Sequence, residues 1–260
     1  MMKTPQANNR KRTTHLMLFS HPDDELWIIQ RMKKIARQGD RLVLRWMTAG
    51  AKDEKSLIRR QESLRLLAYH GLGDADTGFW SFEDGELINQ MPALYEAVSG
   101  ALDTLSPDSV FVPAYEGAHP DHDTLNFIVS EALGRNPSSV RTAYEYPTYN
   151  GWKCIYMRMG VLVPHEEKMQ YTPMSLGDWF RFWRSLCLFR SQQPMLLIIN
   201  FLFGFQQLRQ QLSRGESFRP LPKWCYTELP HPGRQAYELF VSVKPADFHA
   251  AVRQFQMKRK

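Results

Sequence analysis

Residues 14–39 of this 260-residue chain read THLMLFSHPDDELWIIQRMKKIARQG. A short apolar run at 16–19 is followed at once by a polar cluster at 20–25 and then by a helical pattern that ends at Gly39. This order predicts a strand, a turn and a helix. Because ligands of an open parallel sheet bind outside the carboxyl ends of its strands, we expect the polar cluster to face a crevice.

A second polar cluster has the same surroundings. Residues 109–113 predict another short buried strand, and a loop leads from it to HPDHD at 119–123 and a helix-like run at 125–133. If the two strands are parallel and belong to one sheet, both clusters emerge at the same edge. Two remote parts of the chain can then meet there and form one site.

The strand and helix patterns alternate through the first half of the chain. Strands are predicted at 15–20, 41–48, 79–82 and 109–113, and helices at 24–38, around 57–68, at 90–105 and at 125–133. This alternation predicts an α/β fold with a Rossmann-like parallel sheet flanked by helices. After residue 135 the pattern is looser, with strands predicted at 140–146, 154–163 and 237–243 and helices at 175–189 and 194–212. We therefore expect a smaller C-terminal α+β lobe.

The expected organisation is one domain with a tail. Residues 1–14 form a basic N-terminal tail, residues 15–146 the Rossmann-like catalytic core, and residues 147–260 a lobe that completes the same domain and shapes the substrate site. The net charge of +6 is concentrated at the two chain ends, which carry seven basic residues and no acid. Because the body is close to neutral, a nucleic acid partner is not expected.

Composition and apolar patterning predict a cytoplasmic protein. The hydrophobic fraction is 43% and the charged fraction 23%, as in soluble globular chains. A polar, basic start argues against a secretory leader, and the three cysteines follow no disulfide or metal-binding spacing. The most apolar segment, 195–205, is too short for a transmembrane helix, so we expect no membrane span. The sequence is compatible with a monomer or a homo-oligomer.

The first polar cluster suits a metal site. His21 and Asp24 are three residues apart, close to one helical turn, so both side chains can aim at one point. One distant histidine would complete a set of two nitrogen ligands and one oxygen ligand with a position left for water. Zinc is the expected ion, with ferrous iron as the alternative. Asp23 then remains as the general base for the bound water.

The second cluster offers two histidines for two roles. His122 can complete the metal ligands. His119 can face the reacting carbonyl, with Asp121 close enough to orient or charge its ring.

Together the motifs HPDDE at 21–25 and HPDH at 119–122 resemble the two signature motifs of the LmbE-like, or PIG-L, zinc-dependent de-N-acetylases. Further matches are RRQE at 59–62, FRSQ at 189–192 and ESFR at 216–219. The resemblance is close over residues 15–135 and patchy afterwards. It implies a hydrolase that removes the acetyl group from an N-acetylglucosamine-type amino sugar in a glycoconjugate.

The resemblance also implies a role for each matching residue. Zinc would be bound by His21, Asp24 and His122, and Asp23 would be the general base. His119 would stabilise the oxyanion or act as general acid, with Asp121 as its partner. Either Arg59 or Arg60 would contact the substrate. The group attached to the sugar is not implied.

Two other functions use the same residues. A ferrous oxygenase also binds its metal through two histidines and one carboxylate, but it typically spaces them His-x-Asp on a β-rich fold. A glycan-binding module could retain the metal and have no turnover. Dependence on oxygen and 2-oxoglutarate would indicate the first, and absence of acetate release the second.

Overall fold

The central element of the fold is a seven-stranded sheet. The structure is a computed structural model that describes residues 11–49, 52–136, 140–154, 157–194, 197–198, 211–237 and 243–259. The sheet strands are β1 (Thr14–Phe19), β2 (Arg41–Trp46), β3 (Asp76–Phe79), β4 (Ser109–Pro113), β5 (Thr142–Tyr146), β8 (Gln170–Thr172) and β9 (Glu216–Pro220). Two further strands, β6 (Tyr149–Asn150) and β7 (Arg158–Met159), form a separate antiparallel pair.

The strand order of the sheet is β3-β2-β1-β4-β5-β9-β8. The first five strands are parallel to their neighbours, whereas β9 pairs antiparallel with β5 and β8 antiparallel with β9. The predicted α/β class is therefore confirmed. The sheet is mixed because the C-terminal strands extend its parallel part.

Helices lie on both faces of the sheet. They are α1 (Ile29–Arg37), α2 (Glu54–Tyr69), α3 (Met91–Leu105), α4 (Pro120–Arg135), α5 (Leu176–Leu186) and α6 (Pro245–Met257), with short 3-10 turns at Asp24–Ile28, Leu87–Asn89 and Arg190–Gln192. Within the described ranges, none of these helices has both the length and the apolar character needed to cross a bilayer.

Strand β1 is covered by helices on both faces. Its residues Leu16 and Leu18 pack into the hydrophobic core that contains α3, α4 and α6, while Met17 and Phe19 pack into the core that contains α1, α2 and α5. This alternation follows from the two-residue repeat of a strand. A continuous apolar run is what a central parallel strand requires, since water reaches neither face.

The helix predicted at 24–38 is divided in two. A 3-10 turn occupies Asp24–Ile28, and α1 starts only at Ile29 because Ile28 has φ −135°, outside the helical range. In contrast, α4 starts earlier than predicted, at Pro120, with His119 as its N-cap. Proline suits this first helical position since its missing N–H has no partner there anyway.

The C-terminal half departs most from the sequence pattern. The strand predicted at 79–82 lies at 76–79, and within the described part of the predicted strand 154–163 only Arg158–Met159 is a strand. Strands β8 and β9 and helix α6 were not predicted. The apolar segment 195–205 and the strand predicted at 237–243 lie mostly outside the described residues, as does much of the helix predicted at 194–212.

Candidate metal centre

The two histidine clusters meet because β1 and β4 are neighbours. These strands pair in parallel, with Met17 opposite Phe111, so their carboxyl ends lie at the same edge of the sheet. The Ser20 hydroxyl donates a hydrogen bond to the backbone carbonyl of Asp121 at 3.2 Å and thereby joins the two turns directly. The predicted encounter of the two clusters therefore occurs.

Three side chains converge on one point. His122 Nε2 lies 3.0 Å from Asp24 Oδ1 and 3.3 Å from His21 Nδ1, and His21 Nδ1 lies 3.9 Å from Asp24 Oδ2. All three residues are buried, and their ligand atoms form a group that could hold a metal ion. Two ligands of a tetrahedral zinc ion with bonds of 2.0–2.1 Å are about 3.3 Å apart. The spacing of this group fits such an ion.

The outer nitrogen of each histidine has its own partner. His21 Nε2 lies 2.9 Å from the Asp121 carboxylate, and His122 Nδ1 lies 3.1 Å from the Thr148 hydroxyl. These partners direct the remaining nitrogens, His21 Nδ1 and His122 Nε2, at the shared point. Metal-ligating histidines have this arrangement in proteins, because the outer hydrogen bond fixes the tautomer and the ring orientation.

Opposite charges dominate the electrostatics of the three side chains. Burial by itself would raise the pKa of Asp24, but the neighbouring His122 and His21 outweigh it and lower the pKa to about 2. Burial would lower the pKa of His21, but the Asp121 and Asp84 carboxylates raise it well above its usual value. A buried carboxylate that stays ionised between two imidazoles is a suitable ligand for a divalent cation.

Asp23 directly precedes Asp24, is half-buried and has a strained backbone conformation. Its φ is 108°, a region that non-glycine residues rarely adopt. Its backbone N–H donates to Glu25 Oε2 at 3.0 Å, and the same oxygen accepts from Trp46 Nε1 at 3.0 Å. Burial raises the pKa of Asp23 to about 8, although the positive charge of Arg59 opposes this shift. A carboxylate with a pKa close to neutrality is suited to general base catalysis.

His119 is held by the start of α4. Its Nδ1 accepts a hydrogen bond from the backbone N–H of Asp121 at 3.2 Å, and its ring centre lies 4.6 Å from that of His21. Burial lowers the pKa of His119 to about 3, and the neighbouring His21 and His122 reinforce this effect. The ring is therefore neutral at pH 7. Because Nδ1 accepts, the proton is on Nε2, which is left as a donor.

Asp121 contacts the expected histidine, His119, only through its backbone, whereas its side chain contacts His21. Its carboxylate lies against His21 Nε2 and also accepts from the backbone N–H groups of Gly85 at 2.8 Å and Leu87 at 3.1 Å. Its hydrogen bond to His119 comes from its backbone. It does not charge that ring, since burial keeps His119 neutral.

The two candidate arginines lie in different places. Arg59 is buried, pairs with the Asp84 carboxylate and donates to the Pro22 carbonyl at 3.3 Å. Asp84 Oδ1 in turn lies 3.2 Å from His21 Nε2. Arg60 is exposed, and its guanidinium carbon lies 5.1 Å from the centre of the Phe79 ring. Of the pair, Arg59 lies beside the candidate metal ligands.

The sequence reasoning missed a set of supporting residues. Glu116 accepts from the Thr148 backbone N–H at 3.0 Å, which holds the threonine hydroxyl against His122. Asp123 accepts from the backbone N–H groups of Glu116 and Gly117, both at 3.1 Å, and from the Tyr237 hydroxyl. Thr148 is 32 residues from Glu116, and Tyr237 is 114 residues from Asp123. The one local signal was the position of Asp123 directly after the second histidine motif.

Comparison with known protein families gives a match to the first half of the chain. Residues 16–133 match the family PIG-L, described as GlcNAc-PI de-N-acetylase. No protein of curated function matches the chain's sequence at a significant level.

Several solved structures are similar to this fold. A structure described as the zinc-inhibited form of the teicoplanin deacetylase Orf2 has a TM-score of 0.62 and 14% identity, covering 80% of this chain and 97% of that one. The N,N′-diacetylchitobiose deacetylase of Pyrococcus horikoshii has a TM-score of 0.55 and 20% identity, covering 85% and 88%. The 4-carboxy-2-hydroxymuconate hydratase of Pseudomonas putida has a TM-score of 0.55 and 11% identity, covering 85% and 98%. At these identities the similarity shows the fold, and the same fold carries both deacetylation and hydration.

Proposed function

We propose, on the premise that residues 16–133 match the PIG-L family of de-N-acetylases, that this protein is a zinc-dependent hydrolase of N-acetylated amino sugars. Its substrate would be an N-acetylglucosamine-type unit of a glycoconjugate. The observation that carries the proposal is the convergence of His21 Nδ1, Asp24 Oδ1 and His122 Nε2 beside the half-buried Asp23.

The donor set supports a catalytic ion over a structural one. Two imidazoles and one carboxylate leave a fourth position open, whereas structural zinc sites close it, typically with cysteine. A zinc ion in this position would act as a Lewis acid on the acetyl carbonyl and would lower the pKa of a water molecule. Zinc is proposed as the ion, with ferrous iron as the alternative.

Asp23 is proposed as the general base and later as the acid. It would accept one proton from the attacking water, whose oxygen forms a bond with the acetyl carbon. The C–N bond then breaks, and the same proton passes from Asp23 to the departing amine. The products are acetic acid, which keeps the second proton of the water until it ionises to acetate, and the free amino sugar. The raised pKa of Asp23 supports both directions of transfer, because a group that titrates near neutral pH gives up its proton as readily as it accepts one.

His119 is proposed as a neutral donor to the oxyanion. Its Nδ1 is used by the backbone N–H of Asp121, so Nε2–H is the group available for a substrate oxygen. A neutral imidazole fixed in this tautomer can stabilise developing negative charge without delivering a proton too early. Asp121 would then act on the reaction through His21 and the backbone of α4.

Arg59 and Asp84 are the proposed contacts to the sugar. Asp84 is 44% exposed at its side chain although it touches both Arg59 and His21, so it lies at the border between the buried site and solvent. Gln192, with its amide oriented to match, accepts from Arg59 at 2.8 Å and 3.1 Å. A carboxylate and a guanidinium fixed side by side can accept from and donate to vicinal hydroxyl groups. Arg60 is not proposed for this role.

Residues 147–260 are proposed to shape the substrate site. Thr148 contacts His122, and the Tyr149 ring centre lies 5.8 Å from that of His122. Gln192 reaches Arg59 from the other side. Thr148 and Tyr149 therefore lie next to the second cluster, and Gln192 lies next to the proposed sugar contact Arg59, so differences in this half would alter which conjugate binds.

The direct test is acetate release by the purified full chain. The protein is loaded with zinc or ferrous iron, its metal content is quantified, and N-acetylglucosaminyl conjugates are screened for free acetate and a new primary amine. We expect stoichiometric release of both, and loss of activity with the metal in His122→Ala. Metal binding without acetate from any conjugate would instead indicate a binding module, and consumption of oxygen with 2-oxoglutarate an oxygenase.

A further inference from the structure

The segment ESFR at 216–219 has no role in the chemistry above, yet two of its side chains contact the start of α1. We propose that Glu216 is a positioning residue that supplies the N-cap of α1 from strand β9 and thereby fixes the 3-10 turn that carries Asp23 and Asp24. This inference rests on the proposed function of that turn.

The cap of α1 is missing locally. The N-cap position is Ile28, whose apolar side chain is buried in the core and accepts no hydrogen bond. A cap side chain normally accepts from the second or third backbone N–H of the helix, here those of Gln30 and Arg31. A serine, threonine, aspartate or asparagine at position 28 would ordinarily supply this cap hydrogen bond.

Glu216 occupies the place of that missing cap. Its two carboxylate oxygens accept from Gln30 N–H at 2.9 Å and 2.8 Å, and Oε2 also accepts from Arg31 N–H at 3.1 Å. Glu216 is buried and 186 residues away from Gln30 along the chain. Burial raises the pKa of Glu216 to about 8, and the hydrogen bonds from Gln30 and Arg31 oppose this shift because they favour the ionised carboxylate.

A second side chain of β9 holds the same turn. The Arg31 guanidinium carbon lies 4.9 Å from the centre of the Phe218 ring and 5.5 Å from that of Phe111. Glu216 therefore fixes the backbone of the first turn of α1, and Phe218 packs on its side chain. Strand β9 thus contacts the start of α1 through two side chains, those of Glu216 and Phe218.

The contact between Glu216 and α1 would fix the orientation of the turn that precedes Ile28, and Asp24 lies in that turn. The 3-10 turn at Asp24–Ile28 and helix α1 are contiguous, and the non-helical φ of Ile28 sets the angle between them. Without Glu216, the N–H groups of Gln30 and Arg31 would be buried without partners. They can be satisfied by carbonyls three or four residues earlier only if the helix continues through Ile28. That continuation would rotate Asp23 and Asp24 away from His122.

The test is hydrogen exchange of the full chain in Glu216→Gln. The glutamine has nearly the same size, but its amide group presents a donor to one of the two backbone donors. We expect amide exchange in residues 24–31 to accelerate about tenfold, and zinc affinity to fall by about the same factor. Glu216→Asp, which keeps the charge and shortens the side chain, should give the same pattern with a smaller amplitude.

The matched control is Val98→Ala in α3. Val98 is fully buried in the core on the other face of the sheet, so its truncation lowers stability without touching α1. We expect Val98→Ala to have a melting temperature equal to or lower than that of Glu216→Gln. Its amide exchange at residues 24–31 and its zinc affinity should nevertheless remain those of the wild type. Unchanged exchange at residues 24–31 in Glu216→Gln, or an acceleration of the same size throughout the chain, would overturn the inference. If the wild-type chain binds no zinc, the proposed function fails, while the exchange data still decide the role of Glu216.

Discussion

Asp121 Oδ2 lies 2.9 Å from His21 Nε2, so the carboxylate of one histidine motif orients the first histidine of the other. The two residues are 100 positions apart in the chain. The same carboxylate accepts from two backbone N–H groups next to the Leu87–Asn89 turn. Asp121 thus connects both clusters to a third loop.

Replacing Asp121 tests this connection. In Asp121→Asn the amide group would face at least one of three donors, so we expect zinc affinity to fall by about 10–100-fold. Isothermal titration with a competing chelator measures the change. Asp76→Asn removes a carboxylate that pairs with Arg41 and Arg45 at the opposite edge of the sheet and should leave the affinity unchanged. Equal affinities in the Asp121 variant and the wild type would contradict the positioning role.

Asp23→Asn should separate metal binding from turnover. Asparagine has the same shape and tolerates positive φ better than alanine, so the turn should persist. It cannot accept a proton from water, and we expect kcat to fall by about 10²–10⁴-fold with the bound metal retained. Acetate release and metal content are measured in the same sample. A variant with wild-type kcat would remove the assignment of the base.

Asp23→Gly should stabilise the fold while it abolishes activity. Glycine adopts φ 108° without the steric cost borne by aspartate, and the substitution also removes a buried carboxyl group. We expect the free energy of unfolding to rise by about 1 kcal/mol, measured by urea denaturation without metal. Ser106→Gly relieves another positive φ, 41°, at the end of α3 and should raise stability with unchanged turnover. Lower stability in Asp23→Gly would show that the turn is unstrained.

His70 should make stability depend on pH. Burial lowers its pKa to about 4, assisted by the charges of Lys33 and Arg181, and its Nε2 lies 2.8 Å from the Ser185 hydroxyl. The unfolded chain therefore binds more protons at His70 between about pH 4 and pH 6.5, so this contribution is present above pH 6.5 and is lost as the pH falls to 4.

The comparison of wild type with His70→Gln isolates that contribution. The wild-type free energy of unfolding should decrease by up to about 3 kcal/mol more than that of the variant between pH 6.5 and pH 4. Chemical denaturation at a series of pH values gives both curves. Parallel curves would mean that folding does not change the pKa of His70.

The candidate site could be predicted where its residues are close in sequence. His21 and Asp24 share one turn, and the repeated histidine-proline motif after two apolar strands indicated that His122 would join them. Thr148 and Asp84 could not be predicted, because each reaches the site through a fold contact with no local pattern. Asp121 was predicted beside His119, which it contacts through its backbone N–H, but the contact of its carboxylate with His21 was not predicted, since the two residues are 100 positions apart.

The fold could be predicted where periodicity is strong. The alternation of β1 to β4 with α1 to α3 gave the parallel sheet, because apolar strands and amphipathic helices have distinct repeats. Strand β9 was missed because its residues Glu216 and Arg219 are buried charged groups, which resemble surface residues in sequence. Arg219 is compensated by Glu145 on β5, with Arg219 Nη2 2.6 Å from the Glu145 carboxylate, a partner that no local window contains.

The proposed metal ligands are divided between two turns, with His21 and His122 101 positions apart in the chain. A nascent chain thus has only weak, incomplete halves of the site until β1 and β4 have paired. Ion capture would then come last in the order of maturation, and the ion would hold together a chain that had already folded. A bound ion would slow the separation of β1 from β4. Removal of the ion with a chelator would therefore destabilise this strand pair first.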